Sequence, residues 1–229
     1  MENIPFYVSV VFILTTCLTA WFFYKASGQS KKILTIIIVW TVIQSAIALT
    51  GFYLHTSSIP PRFVLLVAPP LLSIALLFAT ASGRKLIDKF DACWLTWLHV
   101  VRIPVEIVLF WLFVYKAVPQ LITFEGKNFD IISGITAIPV AYLGYHKKQL
   151  PGSLLIAWNI ACLGLLFNVV IRAVLSAPFP FQQFAFDQPN VAILYFPFIL
   201  LPGLVVPMVL FSHLICTRKL MNGSAGQAK

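Results

Sequence analysis

The sequence predicts an all-α polytopic membrane protein of seven transmembrane helices, with the N-terminus outside and the C-terminus in the cytoplasm. Three observations predict it. The 229-residue chain is 60% hydrophobic and only 10% charged. A soluble domain carries roughly 25% charged residues, so this chain cannot cover a water-facing surface. Its apolar residues also come in long blocks, as bilayer solvation demands. Finally, its basic residues gather in short turns between those blocks, where they act as topology determinants.

The blocks run 6–24, 33–54, 63–81, 94–115, 131–145, 153–175 and 191–215. The first is preceded by no basic n-region and followed by lysines without a small-residue cleavage site, so it reads as a retained helix rather than a signal peptide. The second carries Trp40 and Gln44, and the third carries Pro69 and Pro70. The fourth holds the densest polar pattern. The fifth is shorter than the ~20 residues that span a bilayer, so its outer end is expected inside the preceding loop. The sixth carries Asn159, Asn168 and Arg172. The seventh has Pro197, Pro202 and Pro207 at five-residue steps and cannot be a straight regular helix. It has no lysine for a retinal Schiff base, which argues against a light-driven rhodopsin.

Lys25, Lys31, Lys32, Arg84, Lys85, Lys89, Lys147, Lys148, Arg218, Lys219 and Lys229 fall on one side of this arrangement; Arg62, Lys116 and Lys127 fall on the other. The positive-inside rule puts the larger set in the cytoplasm. Glu2, Glu125, Asp130 and Asp187 then lie outside. The loops are too short for a soluble domain, so 1–229 reads as a single transmembrane domain. The net charge of +9 is spent on topology, and no surface remains for a nucleic acid. The expected location is a cell membrane, a bacterial inner membrane before a eukaryotic organelle. The expected partners are membrane lipids and a small molecule, with a homo-oligomer left open.

Helix two carries Ile-Val-Trp40-Thr41 and helix six Ile-Ala-Trp158-Asn159, each after a short basic turn and before a Pro-bearing helix. This suggests an internal repeat of halves 5–83 and 130–219 joined by a linker helix 94–116. In architecture alone, three plus one plus three resembles the sugar-exporting SWEETs and the PnuC vitamin transporters.

The fourth block reads Cys93-Trp94-Leu-Thr-Trp97-Leu-His99-Val-Val-Arg102-Ile-Pro104-Val-Glu106. His99, Arg102 and Glu106 lie within about 60° of one another on a helical wheel. Hydrocarbon cannot solvate them, so the stripe is expected to face the bundle interior. Pro104 removes a main-chain hydrogen bond beside it. Two readings stand: an Arg102–Glu106 clamp between helices, or a site facing a ligand, ion or proton path. Arg172 is expected to pair with Glu125, Asp130 or Asp187. Gln44 is a cavity residue or an interhelical hydrogen bond. The loop Thr123 to Asp130 reads as an ordered turn with Asp130 capping helix five, or as a lid carrying Glu125, Lys127 and Asp130.

No catalytic motif, HExxH or CxxC spacing is present, and no cofactor is expected. His99 and His213, with Cys93 and Cys216, form the set that a metal or haem would use near the inner face. The function expected is binding or translocation of a small solute through a central polar site. The candidates are His99, Arg102, Glu106, Gln44, Asn159, Asn168 and Arg172, with Glu125, Lys127 and Asp130 in the outer loop. The alternatives are a membrane-embedded enzyme acting on lipids or isoprenoids, and a receptor-like or assembly subunit.

Overall fold

Runs of Leu, Ile, Val and Phe with few breakers form helices, and Gly, Pro and short polar turns end them. The structure, a computed structural model, describes residues 4–227. Glu2 and Lys229 lie outside the described residues. The fold is all-α, with no strand among those residues.

Helix α1 spans Phe6–Ala26 and α2 Lys31–Leu49. The Ser30 hydroxyl caps α2 by accepting from Ile33 N. Gly51, at φ 74°, ends the second apolar block there; residues 52–54, expected to continue the helix, form a separate 3-10 turn. Helix α3, Val64–Ala79, is followed after a 100° bend by the short α4, Ala81–Ile87. A Cβ at Gly83 would lie 2.3 Å from the Leu77 carbonyl oxygen, so only glycine lets α4 fold back so tightly onto the end of α3. The basic turn of the third block is thus a helix in its own right.

Helix α5, Ala92–Leu98, passes through a 3-10 turn, His99–Val101, into α6, Arg102–Val114. Helix α7, Asp130–Pro139, continues as a π-helix, Val140–His146. Helix α8 spans Gly152–Leu175. The last apolar block begins with a 3-10 turn, Ala192–Leu194, and becomes helical only in the π-helix Leu201–Val205 and α9, Val206–Gln227. Pro197 therefore lies before the helix rather than within it. Pro207 has no N–H for the Gly203 carbonyl. The Trp40 indole donates to that oxygen instead, at 2.8 Å.

Five helical runs are long and apolar enough to cross a membrane: Phe6–Ala26, Lys31–Leu49, Ala92–Val114, Gly152–Leu175 and Leu201–Gly223. The bent pair α3 and α4 makes a sixth when taken as one span. The α7 helix with its π extension covers residues 130–146, roughly 25 Å at helical rise, short of the ~30 Å hydrocarbon core.

Burial is inverted relative to a water-soluble protein. Leu14, Ile36, Leu72 and Leu76 are each more than 60% exposed, whereas Arg102 and Glu106 are 2% and 1% exposed. The basic ends meet on one face. Asp91 N donates to Ala26 O at 2.8 Å, Arg218 pairs with Asp88 at 3.3 Å, and Lys219 donates to the carbonyls of Asp88 and Phe90. At the opposite face Gln188 Nε2 donates to the carbonyls of Phe113 and Val118, and Asn190 Nδ2 to that of Ala173.

Candidate functional site

The fourth apolar block places the site. Its 3-10 turn begins at His99, and Pro104 follows in the first turn of α6. His99, Arg102 and Glu106 are all buried in the bundle. Along the helix they cover about 10 Å of depth.

The charge pairing differs from the sequence expectation. Arg102 Nη1 lies 3.2 Å from Asp130 Oδ1, and both side chains are buried. Glu106 is not the partner of Arg102. Glu106 Oε1 accepts from Asn128 Nδ2 at 2.6 Å, and the same amide donates to Ile122 O. The physical reason is the approach of α7. A Cβ at Gly134 would sit 2.8 Å from Ile103 Cγ1 and 3.3 Å from Arg102 Cβ. Without that Cβ, α7 lies against the start of α6 and brings Asp130, one turn earlier, to the guanidinium. Gly134→Ala is therefore expected to destabilise the fold by about 1–3 kcal/mol through overpacking. Thermal unfolding in detergent checks this, with Ile103→Ala, which removes the clashing Cγ1, expected to cost less in the Gly134→Ala background than in the wild-type chain.

Asp130 is not the cap expected of it. It occupies the first position of α7, and its backbone N–H donates to Asn128 Oδ1 at 2.9 Å. Asn128, buried and bonded on both sides, closes the loop over Glu106. The sequence reading missed Asn128. The Asn-Phe-Asp run before an apolar helix, an Asx-turn pattern, was the available signal. Glu125 and Lys127 of the same loop are exposed.

Deeper in, the His99 and His213 rings stack at 3.7 Å with 15° between planes, and Trp158 stands edge-on to His99. Asn159 Nδ2 donates to Leu155 O at 2.8 Å, which leaves Asn159 Oδ1 as acceptor from His213 Nδ1 at 2.8 Å. Neutral His213 thus carries its proton on Nδ1 and keeps a lone pair on Nε2. His99 Nδ1 and Nε2, His213 Nε2, Glu106 Oε2, Arg102 Nε and Nη2 and Ser133 Oγ have no hydrogen-bond partner within the described residues. Buried polar atoms left in this state are rare and ask for an explanation. Towards the basic face lie buried Thr96 and Cys216, with the Tyr145 hydroxyl beside them.

The remaining candidates stand apart. Arg172 pairs with none of Glu125, Asp130 and Asp187: its Nε donates to Asn168 Oδ1 one turn away, and Asn168 Nδ2 donates to Lys127 O, both at 2.8 Å. That network tethers the outer loop to α8. Gln44 is buried and accepts from the Tyr53 hydroxyl at 2.5 Å, beside a separate cavity. Among the described residues, no three His, Cys, Asp or Glu side chains group as a metal site.

A family model described as "Domain of unknown function (DUF8737)" matches residues 59–221. The chain belongs to this family. The matched stretch contains every member of the buried cluster, and it leaves out α1 and α2, with Trp40 and Gln44. No curated protein matches the chain, and no solved structure does.

Proposed function

We propose that this member of the DUF8737 family is an integral membrane protein that binds or translocates a small solute through the central polar site. The solute that suits such a track best is a proton, which is handed between neighbouring buried polar groups. One observation carries the reading. Polar side chains follow one another down the bundle from several elements, Asn128 of the loop and Glu106 and Arg102 of α6, Asp130 of α7, the stacked His99 and His213, then Thr96 of α5, and Glu106, Arg102 and both histidines keep unpartnered buried atoms. Charged groups in hydrocarbon are rarely kept without use, and chains of such groups serve proton relays. The experiment is proton flux into proteoliposomes under a potassium diffusion potential, read by an internal pH dye. Flux above protein-free vesicles is expected; no excess flux sinks the proposal.

The proposal includes seven crossings, N-terminus outside, with residues 130–146 as the short fifth, in a cell membrane such as a bacterial inner membrane. The gathering of basic ends on one face supports it. Reporter tags at residue 28 and at the C-terminus are expected to read cytoplasm, and tags at 57 and 126 the outside. Both termini on one side would overturn it. The three-plus-one-plus-three order belongs to the proposal too. Its two tryptophans make different contacts: Trp40 donates to Gly203 O across the bundle, and Trp158 to Thr136 Oγ1 on the neighbouring α7. An enzyme acting on lipids or isoprenoids is less supported. It needs reactive groups facing a lipid-accessible cavity, and the hydroxyls of Ser73 and Thr80 in such a cavity are bonded to main-chain carbonyls.

A further inference from the structure

Helices α2, α3, α4 and α9 surround an apolar cavity whose lining includes no member of the buried polar cluster. Its volume is about 670 Å³, within the roughly 300–1,000 Å³ of small-molecule sites. Ile37, Ile74, Leu77, Leu86 and Phe211 wall it. The lining hydroxyls of Ser73 and Thr80 donate to Pro69 O and Leu76 O, and that of Ser82 stands at the α4 end, so the body of the wall offers a ligand mainly hydrocarbon.

One end of the cavity is basic. Helix α4 turns across it after the 100° bend and carries exposed Lys85 beside the lining Ser82 and Leu86. Exposed Lys32 stands one helical turn before the lining Ile36. Lys31, next to Lys32, and Lys89, next to the lining Phe90, are exposed as well. Arg84 is occupied, donating to the carbonyls of Phe78 and Ala79. The two nearby acids are also engaged. Asp88 pairs with Arg218, and Asp91 accepts from the N–H groups of Cys93 and Trp94. The charge left at the rim is therefore positive, next to a slot that accepts a hydrocarbon chain. An anion with an apolar tail complements both features, and anionic lipid recognition by lysines at a membrane surface has this form.

We propose that the cavity binds one acyl chain of an anionic phospholipid, with the lipid phosphate held at Lys32 and Lys85. The site rests on observations separate from the central polar track, so either assignment can fail alone. The test is native mass spectrometry of the full chain in neutral detergent, with phosphatidylglycerol or phosphatidylcholine of matched chains added. One retained phosphatidylglycerol is expected, favoured roughly tenfold over phosphatidylcholine. Lys32→Gln with Lys85→Gln is expected to erase that preference. Leu76→Trp, at an exposed position lining the cavity, is expected to lower retention of both lipids. Leu14→Trp, equally exposed on α1, is expected to leave retention unchanged. Equal retention of the two lipids by the wild-type chain overturns the headgroup assignment. Unchanged retention in Leu76→Trp, or occupation of this face by a second copy of the chain, overturns the site.

Discussion

Asp130→Asn is expected to cost about 3–5 kcal/mol of stability, the loss seen when one partner of a buried ion pair is removed. The guanidinium of Arg102 is 2% exposed and has Asp130 Oδ1 at 3.2 Å. Its other near contact is the Cys162 carbonyl at 3.5 Å, which cannot neutralise it. Removing the carboxylate charge strands a cation in hydrocarbon. The measurement is unfolding in mixed detergent, compared with Glu106→Gln. The amide of Glu106→Gln keeps an oxygen to accept from Asn128, so its expected loss is only about 0.5–1.5 kcal/mol. A Glu106→Gln loss as large as that of Asp130→Asn would show that Arg102 depends on Glu106 instead. Arg102→Met combined with Asp130→Leu is expected to restore much of the stability, because apolar replacement of a buried pair is often neutral or better.

Glu106→Gln is expected to reduce proton flux about a hundredfold while the protein stays folded. A positioned proton-transfer group contributes roughly 10²–10⁴-fold. Glu106 fits that description in the proposed track. Its Oε1 is fixed by Asn128, its Oε2 has no partner, and the histidine stack lies one to two turns deeper along the same helix face. The amide preserves shape and an oxygen for the Asn128 hydrogen bond and removes the titratable carboxyl group that takes up and releases a proton. Flux is read in the proteoliposomes described above, with the melting temperature of each variant measured in parallel. Flux equal to wild type at equal stability would assign Glu106 a packing role only. His99→Phe gives a second reading of the same track: it keeps a flat ring against His213 and removes both ring nitrogens, so a flux loss with intact folding is expected.

Much of this molecule was legible in the sequence, because hydrophobic blocks and periodicity are local properties. Six of the seven expected blocks coincide with helices, with ends displaced by a few residues where Gly51 or Ser30 set them. The shared face of His99, Arg102 and Glu106 also followed from helical geometry alone, and all three are buried. The seventh block was misjudged at its start. Residues 191–200 are as apolar as a helix, yet Pro197 denies a backbone donor in mid-segment, and the chain becomes helical only at Leu201, with Pro202 tolerated in the first turn.

The partners were not legible, because they depend on which helices touch. Spacing at i, i+4 made Glu106 the obvious neighbour of Arg102. The absent side chain of Gly134 instead lets α7 close in, and Asp130 takes the guanidinium. Asn128 looked like an ordinary loop residue until the loop folded back onto Glu106. His99 and His213 are far apart in the chain and meet only because α9 packs beside α5. The sequence by itself determined the all-α class, the helices apolar enough to cross a membrane and the polar stripe, since those follow from composition and a 3.6-residue period. Tertiary structure alone decided the ion pair, the histidine stack and the parting of α2 from α3, since each is set by how closely two distant backbones approach.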